Sequence, residues 1–270
     1  MSTIPTVSST IPVELVDRAR RERDFFNQHS DPEKIRDQLL MVASEPDAIP
    51  REIAAQFPSL AGKCVCDVGC GYGVLSAYFA KKGARVFAFD VAETNVKLAE
   101  RATQVNRVRD RVSLQVMQGE CLAFADNTFD LVFGNAVLHH LDTAVSAREI
   151  RRILKPGGVA IFREPLGENR LLEWARGCSW RSQRHTPDEH SLRYADVETL
   201  RTVFPRVVLR ECELLTVVHA PFRKVEGMIA IRRGERALQR LEHFDRQVLR
   251  RCSWLRPFAS YCVVSMFKPA

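Results

Sequence analysis

A short loop rich in glycine is the feature of this sequence that most directly indicates chemistry. It reads Asp67-Val68-Gly69-Cys70-Gly71-Tyr72-Gly73 and follows an apolar segment. Glycines in a turn between a strand and a helix let the backbone approach a ligand where a Cβ atom would collide. The spacing therefore indicates a loop that binds a small molecule, although such turns also occur simply to connect a strand with a helix.

The acidic residue Asp90 ends the next apolar segment, FAFD. A carboxylate about twenty residues after such a loop can accept hydrogen bonds from both hydroxyls of a ribose. It can also cap a helix that begins near Ala92, and the two roles are compatible. The loop reads G-x-G-x-G, with Val74 where a dinucleotide-binding loop has its third glycine, so the spacing leans away from a dinucleotide.

Strands and helices alternate around these residues. Apolar runs predict strands at 63–68, 85–90, 112–117, 129–134 and 158–164, and helical patterns predict helices at 73–82, 92–105 and 143–154. Lys82-Gly83 and the turn Lys155-Pro156-Gly157-Gly158 are predicted to end two of these helices. The alternation predicts an α/β fold with a doubly wound parallel sheet.

Several segments within this stretch resemble the class I S-adenosylmethionine-dependent methyltransferases of small-molecule type. They are CDVGCGYGVLS, FAFD, GECLAF, FDLVFGNAVLHHL and EIRRILKPGGVAIF, which together run from about Lys63 to Glu164. The resemblance implies a Rossmann-like, seven-stranded sheet whose last strand is antiparallel, which suits two further predicted strands at 207–218 and 261–267. It also implies S-adenosyl-L-methionine as the cofactor and methyl transfer as the reaction.

The resemblance also implies roles for particular residues. Asp67, Gly69, Gly71 and Gly73 would hold the methionine end of the cofactor, Asp90 the ribose, and Asn135 would line the sulfonium. The family commonly has an Asp near the adenine amine; here Gln118 stands in its place, with Glu120 two residues on. A Gln carbonyl can still accept a hydrogen bond from that amine, so binding is still expected.

A sulfonium is an activated methyl donor, so alignment of the acceptor is the main requirement and a base is optional. His139 and His140 follow the fourth strand, near the expected position of the methyl group. Either could act as a base, with His140 preferred, or both could hold the loop in place. Glu164, at the end of the fifth strand, could orient a substrate, or serve as a cap or ion-pair partner.

The flanking segments complete a single domain. Residues 1–60 are interpreted as cover helices, 61–165 as the cofactor-binding core, and 166–270 as substrate-side insertions with the last two strands. The second cover helix is predicted to open at Pro32, capped by Ser30 or Asp31. Phe25 and Phe26 on the first helix either form part of a lid over the cofactor or pack the helix onto the sheet.

Basic residues concentrate near the C-terminus. The chain carries a formal net charge of +7, and between Phe222 and Arg251 nine Lys or Arg residues stand against four acids. An amphipathic helix is predicted there, with Leu238, Leu241, Phe244 and Val248 on its apolar side. The cluster at 223–251 fits a solvated face, peripheral contact with an anionic membrane, or a clamp for an anionic acceptor.

Composition and cysteine usage bound the remaining possibilities. The chain has 270 residues, 46% of them hydrophobic, and shows no spanning segment or signal peptide, which predicts a cytoplasmic protein. Its eight cysteines are expected to be free thiols. No metal is expected at Cys64, Cys66 and Cys70, which lack a fourth ligand. In the segment from Arg184 to His190, a metal, a helix cap and substrate contact all stay open.

Three functions remain in competition. The first is a methyltransferase for a secondary metabolite or a lipid-like or phosphate-bearing acceptor. The second is nucleic-acid methylation, which the net charge encourages, although no RNA-binding module is apparent and Asn135-Ala136-Val137-Leu138 stands where a N/D-P-P-Y/F motif would fall. The third is a non-catalytic protein that binds the same cofactor, since a fold does not fix a function. The sequence predicts no oligomeric state.

Overall fold

The computed structural model describes residues 12–30, 33, 35–42, 49–178, 190–215 and 231–270, with side chains for all of these except 175–178 and 231–239. Most of the segment from Arg184 to His190 therefore lies outside the described residues. So do Arg223 and Lys224 of the basic cluster, the predicted cap Asp31, and Pro32.

Seven strands form one mixed sheet. They are β1 (Cys64–Val68), β2 (Arg85–Asp90), β3 (Val112–Val116), β4 (Phe129–Asn135), β5 (Leu154–Pro165), β6 (Arg206–Cys212) and β7 (Tyr261–Phe267). The strand order is β3-β2-β1-β4-β5-β7-β6, and β7 runs antiparallel to both of its neighbours while the other pairs are parallel. This arrangement confirms the predicted Rossmann-like sheet with its antiparallel last strand.

Helices cover both faces of the sheet. They are α1 (Val13–His29), α2 (Asp37–Leu40), α3 (Arg51–Gln56), α4 (Val74–Lys81), α5 (Glu93–Val105), α6 (Thr143–Ile153), α7 (Arg170–Cys178), α8 (Tyr194–Val203) and α9 (Ile231–Arg251). Alternate residues of β1 face opposite sides, because Cys66 belongs to the same buried cluster as Ile150 of α6 while Val65 belongs to a second cluster that contains Phe79 of α4. Such two-sided burial explains why the central strands read as continuous apolar runs.

Three predicted boundaries differ from those of the structure. The second cover helix begins at Asp37 instead of Pro32, and the Ser30 hydroxyl donates to Asn95 Oδ1 at 2.9 Å. The expected turn at Lys155–Gly158 belongs to β5, where Gly157, at a φ of 74°, lets the strand bend and continue. Strand β6 ends at Cys212 because Glu213 adopts a φ of 62°, which extended backbone excludes.

Three further findings concern the thiols, metal-ligating groups and membrane-crossing helices. The seven cysteines whose side chains are described are free thiols. Within the described part of the chain, no group of three or more His, Cys, Asp or Glu residues is arranged to hold a metal. No helix among those residues has both the length and the apolar character that crossing a bilayer requires.

Candidate cofactor and acceptor site

A cleft of about 830 Å³, part of it open to solvent, lies at the carboxyl ends of β1, β2 and β4, beneath α1. It brings together seven of the predicted site residues. These are Gly69, Gly71, Asp90, Gln118, Glu120, Asn135 and His140. Helix α1 contributes Arg18, Glu22 and Phe26 to the same cleft. In a doubly wound sheet this edge is where ligands bind, so the residues meet where the topology predicts.

The three glycines of the loop have different surroundings. A Cβ atom built on Gly71, at a φ of 51°, would meet no protein atom within 4 Å, so this position forms an open cradle in the cleft. At Gly69 a Cβ atom would lie 2.4 Å from Val137 Cγ2. At Gly73 it would lie 2.6 Å from the Cα atom of Ala99 on α5. Gly71 therefore serves ligand access, whereas Gly73 lets the loop pack against α5.

Asp67 is buried beneath the loop, with 2% of its surface exposed, and is not among the cleft-lining residues. Its Oδ2 accepts a hydrogen bond from the Ser76 hydroxyl at 2.5 Å. Burial raises the pKa of Asp67 to about 7; the Ser76 hydrogen bond opposes this and the charge of Asp90 adds to it. The direct contact with an amino group implied by the family resemblance therefore stays a prediction, and the visible role of Asp67 is to hold the start of α4.

Asp90 accepts hydrogen bonds just before and within the first turn of α5, and it also borders the cleft. Its Oδ1 accepts from the Ala92 amide at 3.0 Å and from Asn95 Nδ2 at 3.1 Å, and its Oδ2 accepts from the Gly71 amide at 2.9 Å. Burial raises the pKa of Asp90, and these three hydrogen bonds act against that rise. The carboxylate thus ties α5 to the glycine loop and still presents acceptor oxygens to the cleft.

The two residues on the expected adenine side differ in their surroundings. Gln118 is half-buried and lines the cleft beside Met117. Glu120 is buried, its Oε1 accepts from the Asp142 amide at 3.2 Å, and burial raises its pKa. Asp142 in turn caps α6 by accepting from the Val145 amide. Glu120 therefore supports the loop before α6, while Gln118 is the better placed of the two for a base edge.

His139 and Glu164 form a buried pair below the turn that follows β4. His139 Nδ1 lies 2.6 Å from Glu164 Oε2, and Glu164 Oε1 accepts from the amides of Val137 and Leu138. These contacts hold a turn that begins with Ala136 at a φ of 54°, an uncommon conformation for a residue other than glycine. Neither His139 nor Glu164 lines the cleft. The contacts of Glu164 are those of an ion-pair partner, and both residues support the turn.

His140 points into the cleft and is covered by α1. Its Nδ1 lies 3.2 Å from Glu22 Oε1, and the Phe26 ring packs edge-on against it with centroids 5.9 Å apart. Phe26 thus belongs to a lid over the cleft, whereas Phe25 stacks on His29. Glu22 could not be recognised from the sequence, because it lies among exposed charged residues in a helical pattern and its partner is 118 residues away.

The donors and acceptors of the cleft suit an adenosyl amino acid. Gly71 leaves room for a ligand against the backbone, and Asp90 offers a carboxylate to ribose hydroxyls. Arg18 Nε is buried, has no hydrogen-bond partner among the described residues, and lies 3.8 Å from Glu22 Oε1. A buried guanidinium with an unused donor favours a ligand that carries a carboxylate.

Sheet order, the glycine loop after β1 and the carboxylate ending β2 together define a Rossmann-like fold of the S-adenosylmethionine-dependent methyltransferase class. Residues 66–162 match the family described as Methyltransferase domain. This stretch of the chain is similar to a methyltransferase domain, and S-adenosyl-L-methionine is the cofactor that the match implies. The predicted class is thereby confirmed.

Two curated relatives illustrate the range of similar proteins. The chain is 33% identical over 163 residues to a ubiquinone biosynthesis O-methyltransferase of Ruegeria pomeroyi, a match that covers 53% of this chain and 65% of that protein. It is 35% identical over 119 residues to the methyltransferase GfsG of Streptomyces halstedii, covering 43% of each protein. The chain thus spans less than two thirds of the length of these relatives.

Among solved structures, the chain is similar to phosphoethanolamine N-methyltransferase 2 of Haemonchus contortus. The two share 19% identity with a TM-score of 0.62, over 92% of this chain and 60% of the other. At that identity the likeness shows a common fold and does not extend to the substrate.

Proposed function

We propose that this protein transfers a methyl group from S-adenosyl-L-methionine to a small-molecule acceptor. The observation that carries the proposal is one cleft that combines the open backbone at Gly71, the carboxylate of Asp90 and the imidazole of His140. Methyl transfer to an acceptor that must lose a proton would use both a carboxylate that binds the ribose and an imidazole that can act as a base, and both lie in this cleft. The names of both relatives support the same reaction class.

Each cleft residue then takes a role. Asp90 would accept hydrogen bonds from the ribose, Gln118 would face the adenine, and Arg18 would meet the cofactor carboxylate. The bound sulfonium supplies an activated methyl group. Asn135, at the end of β4, would line the sulfonium, and its Oδ1 is oriented by Arg163 Nη1 at 3.3 Å. His140 would take a proton from the acceptor, which supports a hydroxyl or a protonated amine as the group methylated.

The proposed acceptor class is supported by the name of one relative. One relative's name places it in ubiquinone biosynthesis and names an O-methyltransferase. We therefore favour methylation of a hydroxyl on a secondary metabolite or a lipid-like or phosphate-bearing compound. Peripheral contact of the basic cluster 223–251 with an anionic membrane belongs to the same proposal.

The test is to incubate a cell extract with the protein and methyl-labelled S-adenosylmethionine, and to search for a labelled compound by mass spectrometry. A labelled small molecule supports the proposal. Labelled RNA would favour the nucleic-acid alternative, and absence of any product despite cofactor binding would favour a non-catalytic protein.

Asp90→Ala provides the matched control for the cofactor site. Loss of hydrogen bonds to a charged group, roughly 1.5–3 kcal/mol, predicts a fall of roughly 10- to 100-fold in S-adenosylmethionine affinity by calorimetry. Because the carboxylate also accepts from the Gly71 and Ala92 amides, thermal unfolding should be recorded for each variant. Asp90→Asn, which keeps one acceptor oxygen, should bind S-adenosylmethionine with an affinity between those of the wild type and Asp90→Ala. Full activity and affinity in Asp90→Ala would overturn the assignment of the ribose site.

A further inference from the structure

We propose that Glu22 of α1 is a positioning residue for His140, so that the lid helix completes the base of the transfer reaction. The inference rests on the proposed function. Glu22 is 6% exposed, lines the cleft, and places Oε1 3.2 Å from His140 Nδ1. A buried carboxylate on a covering helix that contacts a cleft imidazole has the arrangement by which enzymes orient a histidine base.

The carboxylate sets which imidazole nitrogen can take a proton. When Glu22 accepts a hydrogen bond from Nδ1–H, the neutral ring holds its lone pair on Nε2, and the imidazolium that forms later is stabilised by the adjacent charge. In the step, the acceptor hydroxyl gives its proton to Nε2 while its oxygen bonds to the methyl carbon. The carbon–sulfur electron pair leaves with sulfur, S-adenosylhomocysteine is released, and the imidazolium returns its proton to water.

Among the described residues, several charged groups lie near the same imidazole, and Glu22 Oε1 is within hydrogen-bonding range of Nδ1. Arg18, on the same helix, donates from Nη2 to the His139 carbonyl at 3.4 Å and lies against Glu22. The His139 ring lies 4.2 Å from the His140 ring. Asp90, at the end of β2, interacts electrostatically with His140. Glu120 interacts with both Glu22 and Arg18. The site thus balances acidic groups against Arg18 and the imidazoles.

Because Glu22 and His140 belong to different elements, the pair exists only when α1 is docked on the core. A second contact also docks the helix, since Asn27 Oδ1 accepts from both the amide and the hydroxyl of Thr94 on α5. The two contacts lie on the same helix, but Asn27 is not one of the residues that line the cleft. Asn27→Ala therefore weakens the lid without altering the imidazole, which makes it the matched control.

The kinetic test compares Glu22→Gln, Glu22→Asp and Asn27→Ala with the wild-type protein on the labelled acceptor. Glu22→Gln keeps the shape of the side chain and should lower kcat roughly 10- to 100-fold, which is less than the roughly 10²- to 10⁴-fold that a positioned base contributes, because the imidazole itself remains. It should also move the acidic limb of the pH–rate profile to lower pH, since the charge that favours the imidazolium is gone. Glu22→Asp should restore part of kcat, and Asn27→Ala should raise KM with the acidic limb unmoved.

A second readout does not depend on turnover. Side-chain nitrogen NMR of the protein without added ligand reports which imidazole nitrogen carries the proton, and His140→Gln assigns the His140 signals among those of the seven histidines. We expect a predominant Nδ1–H form in the wild type and in Asn27→Ala, and a mixture in Glu22→Gln. Unchanged NMR signals and an unchanged pH profile in Glu22→Gln would overturn the inference. Absence of product from the wild type itself would instead reject the proposed function.

Discussion

At the scale of single residues, the buried carboxylate of Asp67 makes a prediction about stability. Its pKa is raised to about 7, chiefly by burial, from an ordinary value of 3.8. Between these values the unfolded chain releases the proton while the folded protein retains it. The free energy of unfolding contributed by Asp67 therefore falls as pH rises from about 4 to about 7, and is constant above that.

Asp67→Asn removes this titration and keeps an oxygen that can accept from Ser76, so the variant should lose that downward slope between pH 4 and 7. Urea unfolding at several pH values measures the slope.

Asp130→Asn is the contrasting control. Burial favours a higher pKa for Asp130, but hydrogen bonds from Lys155 and the Cys64 amide prevail and lower that pKa. That variant should be less stable than the wild type at neutral pH, with the difference shrinking as pH falls below 4. Equal slopes in wild type and Asp67→Asn would contradict the assignment.

The sequence predicted the residues of the cleft better than it predicted their individual roles. Gly71 and Asp90 could be found because a strand, a glycine turn and an acid about twenty residues later form a local pattern with one physical purpose. Gly73 and Asp67 share that pattern but face Ala99 and Ser76, which local spacing cannot distinguish from facing a ligand. Glu22 could not be found, because its significance depends entirely on a tertiary contact.

At the scale of elements, the turn between β4 and α6 depends on Glu164. Its two oxygens accept from two backbone amides and lie against the His139 ring, and both Glu164 and His139 are buried. Glu164→Ala would leave these groups without that acceptor, and breaking a buried pair of this kind costs roughly 3–5 kcal/mol. We expect the free energy of unfolding to fall by about that amount in urea titrations.

Glu164→Gln should lose less, because its carbonyl can still accept from the Val137 and Leu138 amides while its amide faces His139. Both variants should lose activity in proportion to the disturbance of the turn that carries His140. If Glu164→Ala unfolds like the wild type yet has no activity, Glu164 would return to the substrate-orienting role considered from the sequence.

The bounds of an element were predicted correctly where burial produces a clear hydrophobic pattern in the sequence. They were predicted wrongly where a distant contact ends the element within such a pattern. Strand β7 was predicted at 261–267 and occupies Tyr261–Phe267, because five consecutive buried residues leave a single interpretation. Strand β6 was predicted to reach 218 and ends at Cys212, since Glu213 turns to accept from the Ser260 amide. The hydrophobic pattern beyond Cys212 carries no sign of that partner.

At the scale of the whole molecule, positive charge and exposed aromatic side chains coincide on the described part of α9 and just beyond it. Arg240, Phe244, Arg250 and Arg251 are exposed, with Phe244 54% exposed, and Trp254 follows at 70%. The two acids of α9 whose side chains are described are engaged elsewhere, since Glu242 pairs with Arg51 and Asp245 is buried and accepts from the Leu215 amide. Exposed arginines with exposed aromatic rings are typical of a helix that lies on an anionic membrane.

This membrane proposal predicts that the protein sediments with vesicles containing phosphatidylglycerol and stays in the supernatant with neutral phosphatidylcholine vesicles. Added salt should weaken binding, because charges on a surface are screened within about 10 Å at 0.1 M ionic strength. Insertion of Trp254 into the interface should shift tryptophan fluorescence to shorter wavelength, and Trp254→Phe should remove that shift while the protein still binds.

Two double variants with the same change in net charge distinguish binding by overall charge from binding by the surface of α9. Arg250→Glu with Arg251→Glu alters α9, whereas Arg148→Glu with Arg151→Glu alters exposed arginines of α6, where none of the large exposed apolar side chains of the described residues lies. The first pair should abolish sedimentation with anionic vesicles, and the second should reduce it only slightly. If both pairs weaken binding equally, the net charge of +7 attracts the protein without a defined surface. If neither pair does, or the wild type fails to bind at low salt, the basic helix meets solvent or the acceptor instead.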